Sequence, residues 1–342
     1  MIWLTWRQFR TQALAALVVL AAAAIYLVIT GLRMHHAYTA DLVSCKAHNE
    51  CSTSLNALQG TYSSAAQLAQ LFLLVAPALI GIFWGAPLIS RELEAGTHQL
   101  AWNQSVTRTR WLAVKLGGVA AATIVTVGLL SYLLSWWSGP LDQLGGGRFE
   151  VTTFDTRDLV PAGYAAFAFA LGAAAGLFLR RTVTAMAVTL AVFVGIQILV
   201  PTTIRPNLLP STTVAFPIDQ ATMSRAEGVY DENGVFHVNG LPAPQGAWIL
   251  SNSPVEKSTG QTVSISDYGQ CFPGPGQAGP GADEPGFEST GACLAPFDLH
   301  ENITYQPESH YWPLQWYETG IFLALAGALS GSCFWWIRRR QN

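Results

Sequence analysis

Six uncharged, strongly apolar runs, each long enough to cross a bilayer, dominate this 342-residue chain. A helix needs roughly 20 apolar residues to span the hydrocarbon core. A charge at mid-bilayer costs about 2.5 to 3.5 kcal/mol on insertion scales, so charge-free runs of that length are rare by chance. The runs cover residues 11–32, an apolar core at about 68–89, stretches within 116–141, 159–179 and 182–204, and residues 319–337. A lone segment in lipid satisfies its backbone only as a helix. The reading is an all-α polytopic membrane protein with six transmembrane helices. With 51% hydrophobic and only 11% charged residues, an ordinary soluble enzyme and a disordered chain are excluded. A net charge of −3 offers no basic field for a phosphate backbone, so no nucleic-acid partner is expected.

Orientation follows from Lys and Arg, which collect on the cytoplasmic side. With both termini inside, the inner segments hold Arg7, Arg10, Arg91, Arg108, Arg110, Lys115, Arg180, Arg181, Arg338, Arg339 and Arg340, eleven of the 18 basic residues. The opposite orientation would put the last three outside. The expected arrangement is a multi-pass protein of the plasma membrane, N-in and C-in. Residues 1–12 form a cytoplasmic interfacial helix, with Ile2, Trp6, Phe9 and Ala13 on one face and Arg7 and Arg10 on another. The first five spans occupy 13–200, interrupted by a cytoplasmic loop at 90–115. An extracellular insertion comes next at 201–315, and 316–342 hold the sixth helix and a basic tail. The first run exceeds the apolar length of a signal peptide and is expected to stay as an anchor.

The insertion is polar and loop-rich, with strand-like fragments at 234–238 and 261–265 and a turn at 231–234. Four cysteines fall outside, Cys45 and Cys51 in the first outer loop and Cys271 and Cys293 in the insertion, while Cys333 lies in the last span. An oxidising outer face favours disulfides. Of three possible pairings the local one, Cys45 with Cys51 and Cys271 with Cys293, is favoured. His35, His36, His48, His237, His300 and His310 match no established zinc spacing, so no metal is expected.

Within the spans, Pro77 and Pro87 predict a kinked second helix. Gly81 with Gly85 and Gly172 with Gly176 are small-residue spacings that let helices approach closely. The aromatic and amide residues Phe83, Trp84, Phe193 and Gln197 are weak candidates for a transport pathway. No charged relay lies within the spans, which argues against ion coupling.

The loop after the second span combines charge with apolar residues. Arg91, Glu92 and Glu94 leave the membrane on a helix end, Gly96 permits a sharp turn, and Thr97 can cap the segment after it. Leu100, Trp102 and Val106 need a protein or interfacial surface to cover them. Arg108, Arg110 and Lys115 return the chain to the bilayer.

The pattern of Glu92, Glu94, Gly96, Thr97, Leu100, Thr107, Arg108, Trp111 and Lys115, with the N-terminal Trp-Arg-x-x-Arg segment and six spans, resembles the permease subunits of the ABC-2 family of ATP-driven transporters, in their actinobacterial form. The resemblance covers the membrane part, about two thirds of the chain, and leaves residues from about 207 to 311 without a counterpart. It implies a half-transporter that pairs with a second permease copy, a homodimer being the expected form though the resemblance leaves a heterodimer open, and works by alternating access with separate cytoplasmic ATPase subunits. The inner loop would be a coupling helix seated in the ATPase, with Arg91, Glu92, Glu94, Gly96, Thr97, Leu100, Trp102 and Arg108 at or near the contact. The chain has no GxxxxGK[ST] phosphate loop, so it is not the ATPase itself, and no cofactor is expected on it. ATP and Mg²⁺ would sit on the partner. The family's cargoes imply export of a hydrophobic or amphipathic drug, antibiotic, peptide or lipid. The alternative is a membrane-anchored sensor or assembly protein that acts through its extracellular region. The bland reading of the inner charges is that they cap helix ends at the membrane surface.

Overall fold

The computed structural model describes residues 2–48, 52–96, 107–143, 147–224, 228–232, 235–239, 246–271 and 287–339. The chain forms two compact units, one from residues 1–205 and 312–342, the other from Pro206–Tyr311.

The first unit is helical. Its long elements are α1 (Ile2–His48), α2 (Ser52–Ile80), α3 (Ala86–Glu94), α4 (Arg108–Gln143), α6 (Val160–Leu179), α7 (Thr182–Leu199) and α10 (Tyr311–Arg339), with a single turn, α5 (Val151–Phe154), before α6. Six helical stretches among the described residues are long and apolar enough to cross a membrane, and each overlaps one of the six charge-free runs. Leu17, Val18, Leu68, Leu129, Tyr132 and Val183 are exposed on their surfaces, as lipid-facing side chains must be. α1 continues without a break from residue 2 into the first span, so 2–12 belong to the same helix.

Helix α6 is the centre of this unit, buried along most of its length. Pro161 sits in its first turn, where the missing N–H has no helical partner to lose. The second span packs on it through glycines. Pro77 lies within α2 and Pro87 opens α3, and the stretch between them, Gly81–Gly85, winds as a π-turn with Ala86 N–H bonded to the Gly81 carbonyl. That wider turn absorbs the register lost to proline. A Cβ on Gly81 would stand 2.7 Å from the Ala168 carbonyl oxygen, and one on Gly85 2.6 Å from that of Phe169. Gly172 meets Gly81 and Ala86 from the other side, and Gly176 meets Ala86. The two small-residue spacings therefore face each other.

Pro201 does not end the fifth span. The chain passes it in a second π-turn, Val200–Ile204, and a 3-10 turn, Arg205–Asn207. The chain stays helical past the proline, with Arg205 N–H on the Val200 carbonyl in the i to i+5 pattern.

The second unit holds the strands. β1 (Thr212–Pro217), β5 (Leu299–Gln306) and β4 (Trp248–Glu256) form an antiparallel sheet in that order, and β2 (Gly228–Glu232) pairs with β3 (Val235–Asn239) in antiparallel register. Among its described residues are also two short α-helices, α8 (Gln220–Met223) and α9 (Phe287–Leu294). Its core is Ile218, Met223, Val238, Val263, Leu294, Leu299 and Ile303 beside the Cys271–Cys293 disulfide. The insertion thus has more regular structure than its composition suggests. The fragment at 234–238 overlaps β3, whereas 261–265 forms bridges at Thr262, paired with Val255, and at Ser264, and then turns into a 3-10 helix. Cys51 and the side chain of Cys45 lie outside the described residues.

Candidate coupling site

Helix α3 carries the charged segment out of the second span. Ser90, still fully buried, donates its hydroxyl to the Ala86 carbonyl (2.8 Å) and lies 2.8 Å from the Thr182 hydroxyl. One turn later Glu94 reaches the same residue. Its carboxylate accepts the Thr182 backbone N–H at 2.9 Å and the Thr182 hydroxyl at 2.6 Å. Thr182 is the first residue of α7, so an acid from one helix caps the amino terminus of another. The position is fixed by the tight link before it, where Arg180 takes a left-handed conformation (φ 55°) to close α6 and Arg181 is extended.

Glu92 points to a different helix. It forms an ion pair with Lys115 of α4, whose side chain is only 5% exposed. The Lys115 ammonium also lies 4.7 Å from the centre of the Trp111 ring. Below these polar links, Leu88 and Ile89 of α3 pack with Trp111, Leu112 and Leu116 of α4, Phe169, Ala173, Ala174 and Leu177 of α6, and Cys333 and Ile337 of α10. Arg91 is exposed, and Gly96 is exposed with φ +68°, the left-handed region that favours glycine. Arg108 opens α4 and is partly buried. Thr97, Leu100 and Trp102 lie outside the described residues.

Of the eight residues expected at the coupling contact, Glu92 and Glu94 are bonded within the chain, and they fasten α3 to α4 and α7. A displacement of α3 has a direct polar route into two other helices as well as the apolar contact with α6 and α10.

The four pathway candidates lie apart in character. Phe83 is exposed and Trp84 half-buried on the π-turn. Phe193 is fully buried against the rings of Tyr164 and Phe167. Gln197 donates to the Leu74 carbonyl at 3.1 Å, tying α7 to α2.

One cluster escapes the sequence reading, which found no charges within the spans. Arg205, at the end of the fifth span, Glu318, in the sixth, and Asp155, after α5, are all buried and paired. The available signal was that Arg205 and Glu318 are charges of opposite sign at the adjoining edges of two spans.

Residues 17–205, more than half of the chain, match the family described as ABC-2 membrane transporter related. No curated protein matches the chain, and no solved structure does. The matched region contains the first five spans, the glycine-packed second span with its π-turn and the braced charged connection. The chain is a multi-pass membrane protein and belongs to the ABC-2 membrane transporter related family.

Proposed function

We propose that the chain is the permease subunit of an ATP-driven exporter, and that a cytoplasmic ATPase docks on the connection between α3 and α4. The observation that carries this reading is the double brace at the root of that connection, Glu92 to Lys115 and Glu94 to Thr182. A push on the connection is passed to α4 and α7 rather than lost in a hinge. Family membership implies an ABC transporter system with an ATPase partner. ATP and Mg²⁺ sit on that partner. Two copies of this chain form the pathway, and both termini face the cytoplasm. The cargo is hydrophobic or amphipathic, in keeping with apolar, aromatic-rich helix surfaces such as those bearing Phe83 and Trp84.

The test is affinity purification of the tagged chain from native membranes in mild detergent, with and without ATP. Recovery of a soluble Walker-A protein in about equal amount supports the exporter reading. Recovery of an outer-face partner instead, with no ATPase, would overturn it in favour of a sensor or assembly role.

A further inference from the structure

At the opposite end of α7 from Thr182, three ionisable side chains meet away from solvent. Arg205 donates from Nε to Glu318 Oε2 at 2.8 Å and from Nη2 to Glu318 Oε1 at 2.9 Å. Nη2 also pairs with Asp155 Oδ1. The Tyr164 hydroxyl donates to Glu318 Oε1 at 2.8 Å. The Phe154 ring covers the guanidinium at 4.1 Å. Arg205 and Asp155 are fully enclosed, and Glu318 is all but enclosed.

The charges do not balance. Two carboxylates share one guanidinium, which leaves a negative charge buried if all three ionise, a state that burial opposes strongly. The hydrogen bonds show which carboxyl can take a proton. Both oxygens of Glu318 are occupied as acceptors, three bonds in all. Asp155 Oδ2 is buried with no hydrogen-bond partner among the described residues, as is Arg205 Nη1.

We propose that Asp155, Arg205 and Glu318 form a buried proton-binding site in which Asp155 Oδ2 holds the proton, so that its occupancy sets how tightly α6, α7 and α10 are held together at this end of the unit. Burial pushes the Asp155 carboxyl up to about 7. Arg205 opposes that rise and Glu318 adds to it.

The neighbours leave the site to these groups. From α2, neutral Gln70 donates to Thr153. From α4, Ser131 bonds the Thr156 and Asp158 carbonyls, and Asp142 pairs with Arg157. Arg148 approaches Asp142 and Asp158, each at 4.0 Å. From α6 comes Tyr164, and from α10 Gln315, whose amide bonds the Leu159 and Val160 N–H groups and the Phe154 carbonyl.

The experiment is thermal unfolding of the purified full-length chain in detergent between about pH 5 and pH 8, in a Glu301→Gln background that removes a second buried carboxyl. A carboxyl whose pKa is raised by folding stabilises the folded state at low pH, and that contribution is lost as pH rises through the folded value. The midpoint should fall by several degrees from pH 5 to pH 8. Asp155→Asn should flatten that fall and match or exceed the parent at pH 8. Glu318→Gln should also flatten it, because Asp155 then becomes the sole counter-ion of Arg205. If Asp155→Asn lowers the midpoint equally at both pH values with the slope unchanged, Asp155 is an ionised salt-bridge partner and the proposal is overturned. Infrared spectra of the protein with isotope-labelled aspartate give an independent reading. A protonated-carboxyl band should be present at pH 6 and fade by pH 8, and its absence at pH 6 would also overturn the site. None of these readouts needs the ATPase, so they stand or fall apart from the exporter reading.

Discussion

Glu94 accepts both the backbone N–H and the hydroxyl of Thr182, so the last residue of α3 holds the first residue of α7 at two points. The same hydroxyl is within hydrogen-bond distance of Ser90 one turn back. These contacts favour the ionised carboxylate, which suits the positive end of α7.

In the assembled transporter, Glu94→Ala should lower cargo-stimulated ATP hydrolysis severalfold while the ATPase still binds. Glu94→Gln, which keeps one acceptor for the Thr182 N–H, should recover part of the loss. Hydrolysis in vesicles alongside co-purification of the ATPase checks this. Loss of binding together with hydrolysis would make Glu94 a docking residue instead.

The Glu92–Lys115 pair is asymmetric, because Lys115 is 5% exposed and Glu92 17%. Removing the acid strands the more deeply buried charge. Glu92→Gln should therefore destabilise the chain more than Lys115→Met, by on the order of 3 kcal/mol at most for breaking a buried pair. Thermal unfolding of the two variants in detergent decides the order.

Gly172 has no room for a side chain between itself and the π-turn, whereas a Cβ on Gly195 of α7 meets nothing within 4 Å. Gly172→Ala should cost about 1 to 3 kcal/mol through overpacking. Gly195→Ala should be neutral or mildly stabilising. The monodisperse yield and melting point of the two purified variants are the readout.

In the second unit, Glu301 sits on β5 with its side chain fully buried and neither oxygen hydrogen-bonded to another described residue. Burial pushes this carboxyl up to about 8, with the nearby Val238 backbone opposing. Stability of the unit should therefore be full below the ordinary glutamate range and fall as pH rises through about 8, by roughly 5 kcal/mol at most. Hydrogen exchange of β5 amides in the whole protein, corrected for intrinsic rates, should show that fall in wild type and not in Glu301→Gln.

Glu301 also explains part of what the sequence concealed. In β5 the core-facing alternation runs Leu299, Glu301, Ile303, and Gln306 is buried out of that phase, so a carboxyl and an amide interrupt the apolar alternation that marks a strand. β1 ends in Pro217 and β4 carries Ser251, Asn252, Ser253 and Pro254, all poor strand signals. β3 was legible because Val235, Phe236 and Val238 come directly after an Asn-Gly pair. The six spans were legible for a stronger reason, since a charge in hydrocarbon is costly enough to leave long gaps in the charge pattern. That same reasoning hid the Asp155–Arg205–Glu318 cluster. Arg205 and Glu318 were read as the borders where spans end, and Asp155 lies in a connection whose partners are distant in sequence. The Glu92 and Glu94 motif was visible, but its direction was not. Only the folded chain reveals that both acids turn toward neighbouring helices.

The bidentate pairing of Arg205 with Glu318 has a consequence for how this chain could change over generations. Residue 205 is the last of the helical unit before the excursion Pro206–Tyr311, and Trp312 begins the return. The two helices that flank the excursion are tied to each other by side chains of their own. The segment strung between them is thereby relieved of the task of holding them in register. Such a tether makes the position a graft site, where segments of different length and fold can be exchanged while the membrane unit keeps its form.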